Sequence, residues 1–132
     1  MGRLLMNVQK KADVRLVTIN GGEKDNAIAN FCEAKILVGK EQEQQVCDCL
    51  KETFAIISKE CRVTDPDALM ELEAAAAEAQ VFNEESTNRV ILALVHMPNG
   101  IQRMSPEIEG LVQTSLNLGV LRTVRTLGLF RL

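Results

Sequence analysis

The feature that most constrains the fold is an apolar stripe in residues 41–60, because its spacing fits a helix and not a strand. Steps of three or four residues place side chains on one face of an α-helix. Pro66 then biases Asp65 away from helical backbone and ends the segment. The sequence therefore predicts one long amphipathic helix over 41–60, whose buried stripe consists of Val46, Leu50, Phe54, Ile57 and Cys61.

Two segments before this helix have the composition of strands. Residues 14–19, "VRLVTI", are rich in β-branched side chains, and residues 31–38, "FCEAKILV", alternate between apolar and charged positions. Such alternation is typical of a strand with one buried face. Between them, the Asn-Gly-Gly sequence at the start of 20–26 predicts a turn, since glycine adopts positive φ at little cost. The buried face of the second strand would carry Cys32, Ala34, Ile36 and Val38.

Two further segments have the spacing of helices. Residues 2–11 place three apolar side chains on one face. Residues 83–97 begin with Asn83, a good capping residue, and acidic side chains follow in the first turn, where they suit the helix dipole. The Pro-Asn-Gly sequence at 98–100 ends this helix. Its buried stripe would consist of Val90, Ile91, Leu94 and Val95.

Two later segments alternate like strands. Residues 68–74 do so weakly, and residues 111–121 do so clearly after a loop over 98–110. The polar side of the clearer strand would carry Gln113, Ser115 and Asn117.

The predicted order is therefore helix, strand, strand, helix, strand, helix, strand. This order indicates an α+β fold, a ferredoxin-like two-layer sandwich with a mostly antiparallel sheet and helices on one face. Compared with that fold, the first strand would be missing before the first helix. A chain of 132 residues is expected to form one domain, residues 1–132.

Composition argues against several classes of partner. The net charge is −3, from 15 basic and 18 acidic residues without a basic stripe, so no nucleic-acid partner is expected. No apolar run approaches the length of a membrane span, and "MGRLLMNVQKK" does not have the pattern of a secretory signal, so no membrane partner is expected. The four cysteines are then expected to be reduced, in a cytoplasmic protein.

The residues offer little for a metal site or for catalysis. Cys47 and Cys49 are two positions apart on the long predicted helix, so their side chains point in different directions. His96 is the only histidine, and no orienting partner lies beside it in the sequence. We therefore expect this chain to bind no metal and to supply no catalytic residue.

Asn26 and Arg103 are the candidate binding residues. On the residues alone, Asn26 could be a turn residue bonded to its own backbone, and Arg103 could be a solvated charge. Either could instead contact a ligand from a loop.

Two stretches carry a family resemblance. The first is "RLVTINGGEKDNAI" (15–28), and the second is "PNGIQRMSPEIEGLVQTSLNLGVL" (98–121). They resemble the "GG…NAIP" and "PNGV.RMS.DI.GLVETSLN.G" segments of the aminoacyl-histidine dipeptidases, which are two-zinc exopeptidases. The resemblance covers residues 1 to about 123 and matches only the ferredoxin-like lid domain, which is inserted into the catalytic domain and often mediates dimerisation.

The resemblance implies a role for the chain and for both candidate residues. The chain would be a substrate-capping and dimerisation domain, inactive alone, of a zinc-dependent hydrolase whose zinc-binding catalytic domain is absent here. By position, Arg103 would bind the carboxylate of a dipeptide substrate and Asn26 its scissile carbonyl. A homodimer is expected, and the cleft or the dimer face would be lined by Gln113, Ser115 and Asn117.

The sequence departs from the family pattern in three places. Ala29 replaces a proline, Gln113 replaces a glutamate, and the match ends after Arg122. The family's lid histidine would lie upstream of Met1, and a truncated reading frame, a frameshifted one or a designed chain would each explain the departures at both ends. The alternative is a free-standing ferredoxin-like module for small-molecule binding or protein interaction, which the self-sufficient length favours.

Overall fold

The structure is a computed structural model that describes residues 1–76 and 80–124. It is of the α+β class, as predicted. Its elements are α1 (Gly2–Gln9), β1 (Val14–Gly21), β2 (Cys32–Val38), a 3-10 turn (Lys40–Gln42), α2 (Glu43–Glu60), α3 (Glu84–His96), β3 (Gly100–Met104) and β4 (Val112–Leu116).

The chain divides into two compact units. Among the described residues, we call 1–17 with 35–76 and 80–97 the helical unit, and 18–34 with 98–124 the hairpin unit. Strands β1 and β2 pair with each other, and each contributes residues to both units. Strands β3 and β4 form a second two-stranded sheet, which lies wholly in the hairpin unit.

The core of the helical unit forms around α1. This helix packs against both α2 and α3, and its apolar face is buried as predicted. Burying a Val, Leu or Ile side chain contributes about 1.5–3 kcal/mol, so this face supplies much of the unit's stability. One cluster of the core consists of Val8, Ala12, Val14, Val46 and Cys49.

The buried face of α2 is rotated from the predicted stripe. Val46 is buried as expected, but the next buried positions are Cys49 and Thr53, while Leu50 and Phe54 are half-buried. The amide of Asn7 on α1 donates to the Thr53 hydroxyl at 3.3 Å. A polar contact between α1 and α2 thus occupies a position that the hydrophobic pattern assigns to an apolar side chain.

The hydroxyl of Thr87 joins α3 to β1. Thr87 is 0% exposed, and its Oγ1 accepts from the Leu16 amide at 3.2 Å and donates to the Phe82 carbonyl at 3.5 Å. The Phe82 amide in turn donates to the Leu16 carbonyl at 2.7 Å. Both backbone groups of Leu16 are therefore satisfied without a neighbouring strand on that side.

Helix α3 begins as predicted. Asn83 Oδ1 accepts from the Ser86 amide at 2.8 Å, and Glu84 and Glu85 occupy the first turn. Ile91 is buried and the rest of the predicted stripe is half-buried, so this helix face was correctly assigned.

The structure differs from the predicted elements in three segments. Residues 68–74 form no strand, and Leu69 is 75% exposed, because no other described segment pairs with them to bury their weak apolar side. The predicted loop 98–110 contains β3. Strand β4 is shorter than the predicted 111–121 and ends at Leu116, since the chain beyond it changes partner, as described below. The unassigned Ala-rich segment lies partly outside the described residues.

Within the described ranges, no helix has both the length and the apolar character that crossing a membrane requires.

We expect Thr87→Val to lower the free energy of unfolding by about 1–3 kcal/mol, because it leaves the buried Leu16 amide without an acceptor. Urea denaturation followed by circular dichroism measures this change. Thr87→Ser keeps the hydroxyl and should cost less, and Thr64→Val, at an exposed threonine, should cost least. Equal midpoints for Thr87→Val and Thr87→Ser would contradict the assigned hydrogen bonds.

Candidate functional site

Both predicted binding residues belong to the hairpin unit, Asn26 in the loop after β1 and Arg103 on β3. Both are exposed. The site is therefore a surface of one compact unit.

Asn26 occupies the third position of a tight turn. The Ala27 amide donates to the Lys24 carbonyl at 3.3 Å, which closes the turn over Lys24–Ala27. All residues from Glu23 to Asn30 are exposed, so no burial of the loop's own side chains fixes its path.

The segment after β4 holds this turn from outside. Asn117 Nδ2 donates to the Ala27 carbonyl at 2.7 Å. Gly119 is buried against the same turn, and a Cβ atom there would come within 2.5 Å of the Asp25 carbonyl oxygen and 2.8 Å of that of Lys24. The turn is thus contacted at its first, second and fourth residues, and the contact leaves the third, Asn26, free.

Close backbone contact continues along the end of β1. Gly22, with φ of 66°, lies so near the Gly119 carbonyl that a Cβ atom would collide with it. Gly21 and Leu121 exchange two backbone hydrogen bonds of 2.9 Å. The guanidinium of Arg122 donates to the Gly22 carbonyl at 3.1 Å. The predicted positive-φ turn therefore occurs at Gly22.

Thr123 also binds the segment after β4 to the end of β1. Its hydroxyl accepts from the Ile19 amide at 2.7 Å and donates to the Ile19 carbonyl at 2.9 Å. Its amide donates to the Asn20 side chain at 2.9 Å. We call residues 117–123 the clasp, because they bind both the Lys24–Ala27 turn and the end of β1.

Arg103 lies at an irregularity of the β3–β4 ladder. The strands are antiparallel, with Ile101 opposite Ser115 and Arg103 opposite Thr114. The register shifts on both sides of the Arg103 pair, which leaves Gln102 and Gln113 without directly opposed partners. Bulges of this kind re-aim side chains and are over-represented next to active sites.

The guanidinium of Arg103 makes no hydrogen bond or ion pair with the described part of the chain. Each other described arginine donates to a protein acceptor; Arg89, for example, binds Glu85 at 2.5 Å and Arg3 binds Glu60 at 2.5 Å. The side chain of Asn26 is likewise without a partner among the described residues. Both predicted binding groups are available to a ligand.

The strand ladder connects the two groups. Arg103 pairs with Thr114, and Asn117 follows three residues later on the same chain. Three residues span at most about 11 Å and paired Cα atoms lie about 5 Å apart, so the Cα atoms of Arg103 and Asn117 are at most about 16 Å apart. Asn117 itself touches the turn that carries Asn26.

The other polar residues of this region differ in role. The Ser105 hydroxyl accepts from the Glu107 and Ile108 amides at 3.3 and 3.1 Å, so it shapes the loop between β3 and β4. Gln113 and Ser115 are exposed. Asn117, which was expected to line the cleft or the dimer face, directs its amide to Ala27.

The described residues do not fit a zinc site. Residues 1–76 and 80–124 contain no group of three or more His, Cys, Asp or Glu side chains placed to hold a metal ion. All four cysteines are free thiols. Cys32, which was predicted on the buried face of the second strand, is exposed. Partial desolvation by the surrounding protein nevertheless raises the pKa of its thiol, with a smaller contribution from Glu33, and this disfavours the reactive thiolate.

Comparison with known proteins gives two informative relatives. No family model matches the chain. It is 29% identical over 118 residues to the cytosol non-specific dipeptidase of Escherichia coli (strain K12), a match that covers 89% of this chain and 24% of that protein. The crystal structure of aminoacylhistidine dipeptidase from Vibrio alginolyticus matches with a TM-score of 0.87 and 34% identity, over 93% of this chain and 25% of the other.

The chain thus spans about a quarter of the length of each relative. Sequence and fold agree over nearly all of it, which confirms the predicted resemblance at the level of a dipeptidase: the chain is homologous to a segment of each of these two proteins.

Proposed function

We propose that the chain is the substrate-capping and dimerisation domain of a zinc-dependent aminoacyl-histidine dipeptidase. The observation that carries the proposal is the Arg103 guanidinium, which is exposed, unpaired among the described residues and placed at a ladder irregularity. It lies in the segment whose pattern matches the family most closely. The similarity to two dipeptidases supports the proposed reaction class, hydrolysis of a dipeptide.

Arg103 would bind the terminal carboxylate of the dipeptide. A guanidinium offers two parallel N–H donors that match the two carboxylate oxygens. Because no described acidic side chain pairs with Arg103, binding a carboxylate would break no existing ion pair.

Asn26 would bind the scissile carbonyl. Its amide is a neutral donor, and a fixed donor aimed at an oxygen that gains charge stabilises the transition state. The clasp contacts the other three residues of the turn, Lys24, Asp25 and Ala27. The Asn26 donor would therefore be positioned before the substrate arrives.

The zinc chemistry would come from protein outside this chain. Since the described residues do not assemble a metal site, the isolated chain would bind the dipeptide without cleaving it. The location is proposed to be the cytosol, following the name of the Escherichia coli relative.

The β3–β4 hairpin supports the dimerisation part of the proposal. Every residue of both strands is exposed, and a two-stranded sheet leaves an outer edge on each strand that can pair with another chain. An isolated hairpin of this size is marginally stable in water, so a second copy would stabilise it. The exposed apolar residues of the hairpin include Ile101, Met104, Val112 and Leu116.

We expect an aminoacyl-histidine dipeptide to shift the NMR resonances of the Arg103 side-chain Nε–H and the Asn26 side-chain amide. The same dipeptide with an amidated C-terminus should leave the Arg103 resonance unmoved, since it has no carboxylate. Because the site is open to solvent, the ion pair contributes at most about 1 kcal/mol, so Arg103→Ala should weaken binding up to about five-fold.

Arg89→Ala is the matched control, since Arg89 is exposed but already pairs with Glu85. It should leave the dipeptide affinity unchanged. Equal shifts by the acid and the amide, or no shift at millimolar dipeptide, would refute the carboxylate role of Arg103 and leave the free-standing module as the better account.

We expect the purified chain to release no histidine from an aminoacyl-histidine dipeptide when zinc is added, because residues 1–76 and 80–124 contain no cluster of ligands placed to hold the ion. An amino-acid analysis after prolonged incubation measures this. Hydrolysis that a chelator abolishes would contradict the inactive-domain proposal.

We expect a homodimer in light scattering, and Ile101→Glu should shift it toward monomer by placing a charge on the exposed hairpin. Val63→Glu, at a residue 82% exposed in the helical unit, should not change the mass. A monomer at micromolar concentration for the unmodified chain would argue against dimerisation.

A further inference from the structure

We propose that Asn117 is a positioning residue for Asn26, acting through the Lys24–Ala27 turn. The role of Asn26 in substrate binding rests on the function proposed above. The positioning itself does not, because it follows from contacts within the hairpin unit.

The turn has little of its own to hold it in place. Within it, the described structure contains one backbone hydrogen bond, from the Ala27 amide to the Lys24 carbonyl, at 3.3 Å near the long end of the usual range. The exposed stretch from Glu23 to Asn30 buries no side chain that could anchor it. A turn of this kind would sample several conformations unless another segment fixed it.

Asn117 supplies that fixing contact. Its amide donates to the Ala27 carbonyl at 2.7 Å, a short bond that joins residues 90 positions apart in the sequence. The bond acts on the residue next to Asn26 and leaves the Asn26 side chain unbonded. Its effect is therefore on where the Asn26 amide is presented.

Gly119 determines how closely the clasp approaches. It packs against the Lys24 and Asp25 carbonyl oxygens at distances that exclude a Cβ atom. Asn117 and Gly119 thus grip the turn on both sides of Asn26. Leu121 and Thr123 bind the clasp to β1, so the contacts with the turn are supported by a regular strand.

The hydrogen bond from Asn117 to Ala27 also connects the turn of Asn26 with the strand pair of Arg103. The clasp continues from β4, whose Thr114 pairs with Arg103. A single stretch of chain, 114–117, therefore links the strand pair of one binding residue to the turn of the other. Asn117 would fix the spacing of the two groups, and with it the length of the dipeptide that both can contact.

Two substitutions that remove the amide donor of Asn117 test this proposal. Asn117→Asp replaces the amide by a carboxylate that cannot donate to the Ala27 carbonyl, and Asn117→Ala removes the group without adding charge. Backbone order parameters from ¹⁵N relaxation report the motion of residues 24–27. In both variants we expect them to fall from about 0.85, the value of rigid backbone, toward 0.6 or below.

Ser115→Ala is the matched control, since Ser115 is an exposed polar residue of the adjacent strand that makes no hydrogen bond to residues 24–27. Its order parameters at residues 24–27 should equal those of the unmodified chain. Thermal melting of all variants shows whether the fold is intact. An unchanged turn in both Asn117 variants, or equal loosening in Ser115→Ala, would overturn the positioning role.

A second readout separates positioning from general stability. On adding the dipeptide to Asn117→Asp, the Arg103 Nε–H should still respond to the carboxylate, while the response of the Asn26 amide should fall several-fold. Equal loss of both responses would indicate a structural role only and would overturn the proposal. If the unmodified chain binds no dipeptide, the proposed function fails, whereas the relaxation data still decide whether Asn117 fixes the turn.

Discussion

The hairpin unit depends on the close approach of two glycine backbones. A Cβ atom at Gly22 would collide with the Gly119 carbonyl, and one at Gly119 would come within 2.5 Å of the Asp25 carbonyl oxygen. Gly22 also adopts a φ of 66°, which other residues rarely adopt. This approach lets the clasp exchange hydrogen bonds with the end of β1 at Gly21 and Leu121. A methyl group at either glycine would separate the two segments and remove support from the Lys24–Ala27 turn.

Because of this approach, residues 112–123 contact two different parts of the hairpin unit. Residues 112–116 pair with β3, whereas residues 117–123 bind the turn and β1. The change of partner gives specific roles to two polar side chains beyond β4, since the Asn117 amide donates to the Ala27 carbonyl and the Thr123 hydroxyl bonds to both backbone groups of Ile19. It also gives the proposed substrate clamp a physical basis, because both binding residues are attached to the same short stretch.

The sequence predicted the elements whose patterns are set by local burial. Helices α1, α2 and α3 and strands β1 and β2 lie within a few residues of their predicted ranges, because periodicity and the Asn83 cap act within each segment.

The sequence did not predict features that depend on contacts between segments far apart in the chain. Thr87 is polar yet fully buried, since its partners come from β1 and from Phe82, and no periodic pattern marks it. Strand β3 was missed because Gly100 and nearby proline suggested a loop. The binding roles of Asn26 and Arg103 remain predictions that come from the family motifs. The role proposed for Asn117 depends on its contact with the turn, which no sequence pattern marks.

The most direct test of this account is a set of backbone residual dipolar couplings for the hairpin unit, because they report whether segments share one orientation. The account predicts that couplings from residues 24–27, from β3 and β4, and from the clasp fit a single alignment tensor. Couplings from residues 24–27 that average toward zero, or that require a separate tensor, would contradict it. In that case Asn26 and Arg103 would not be parts of one rigid site.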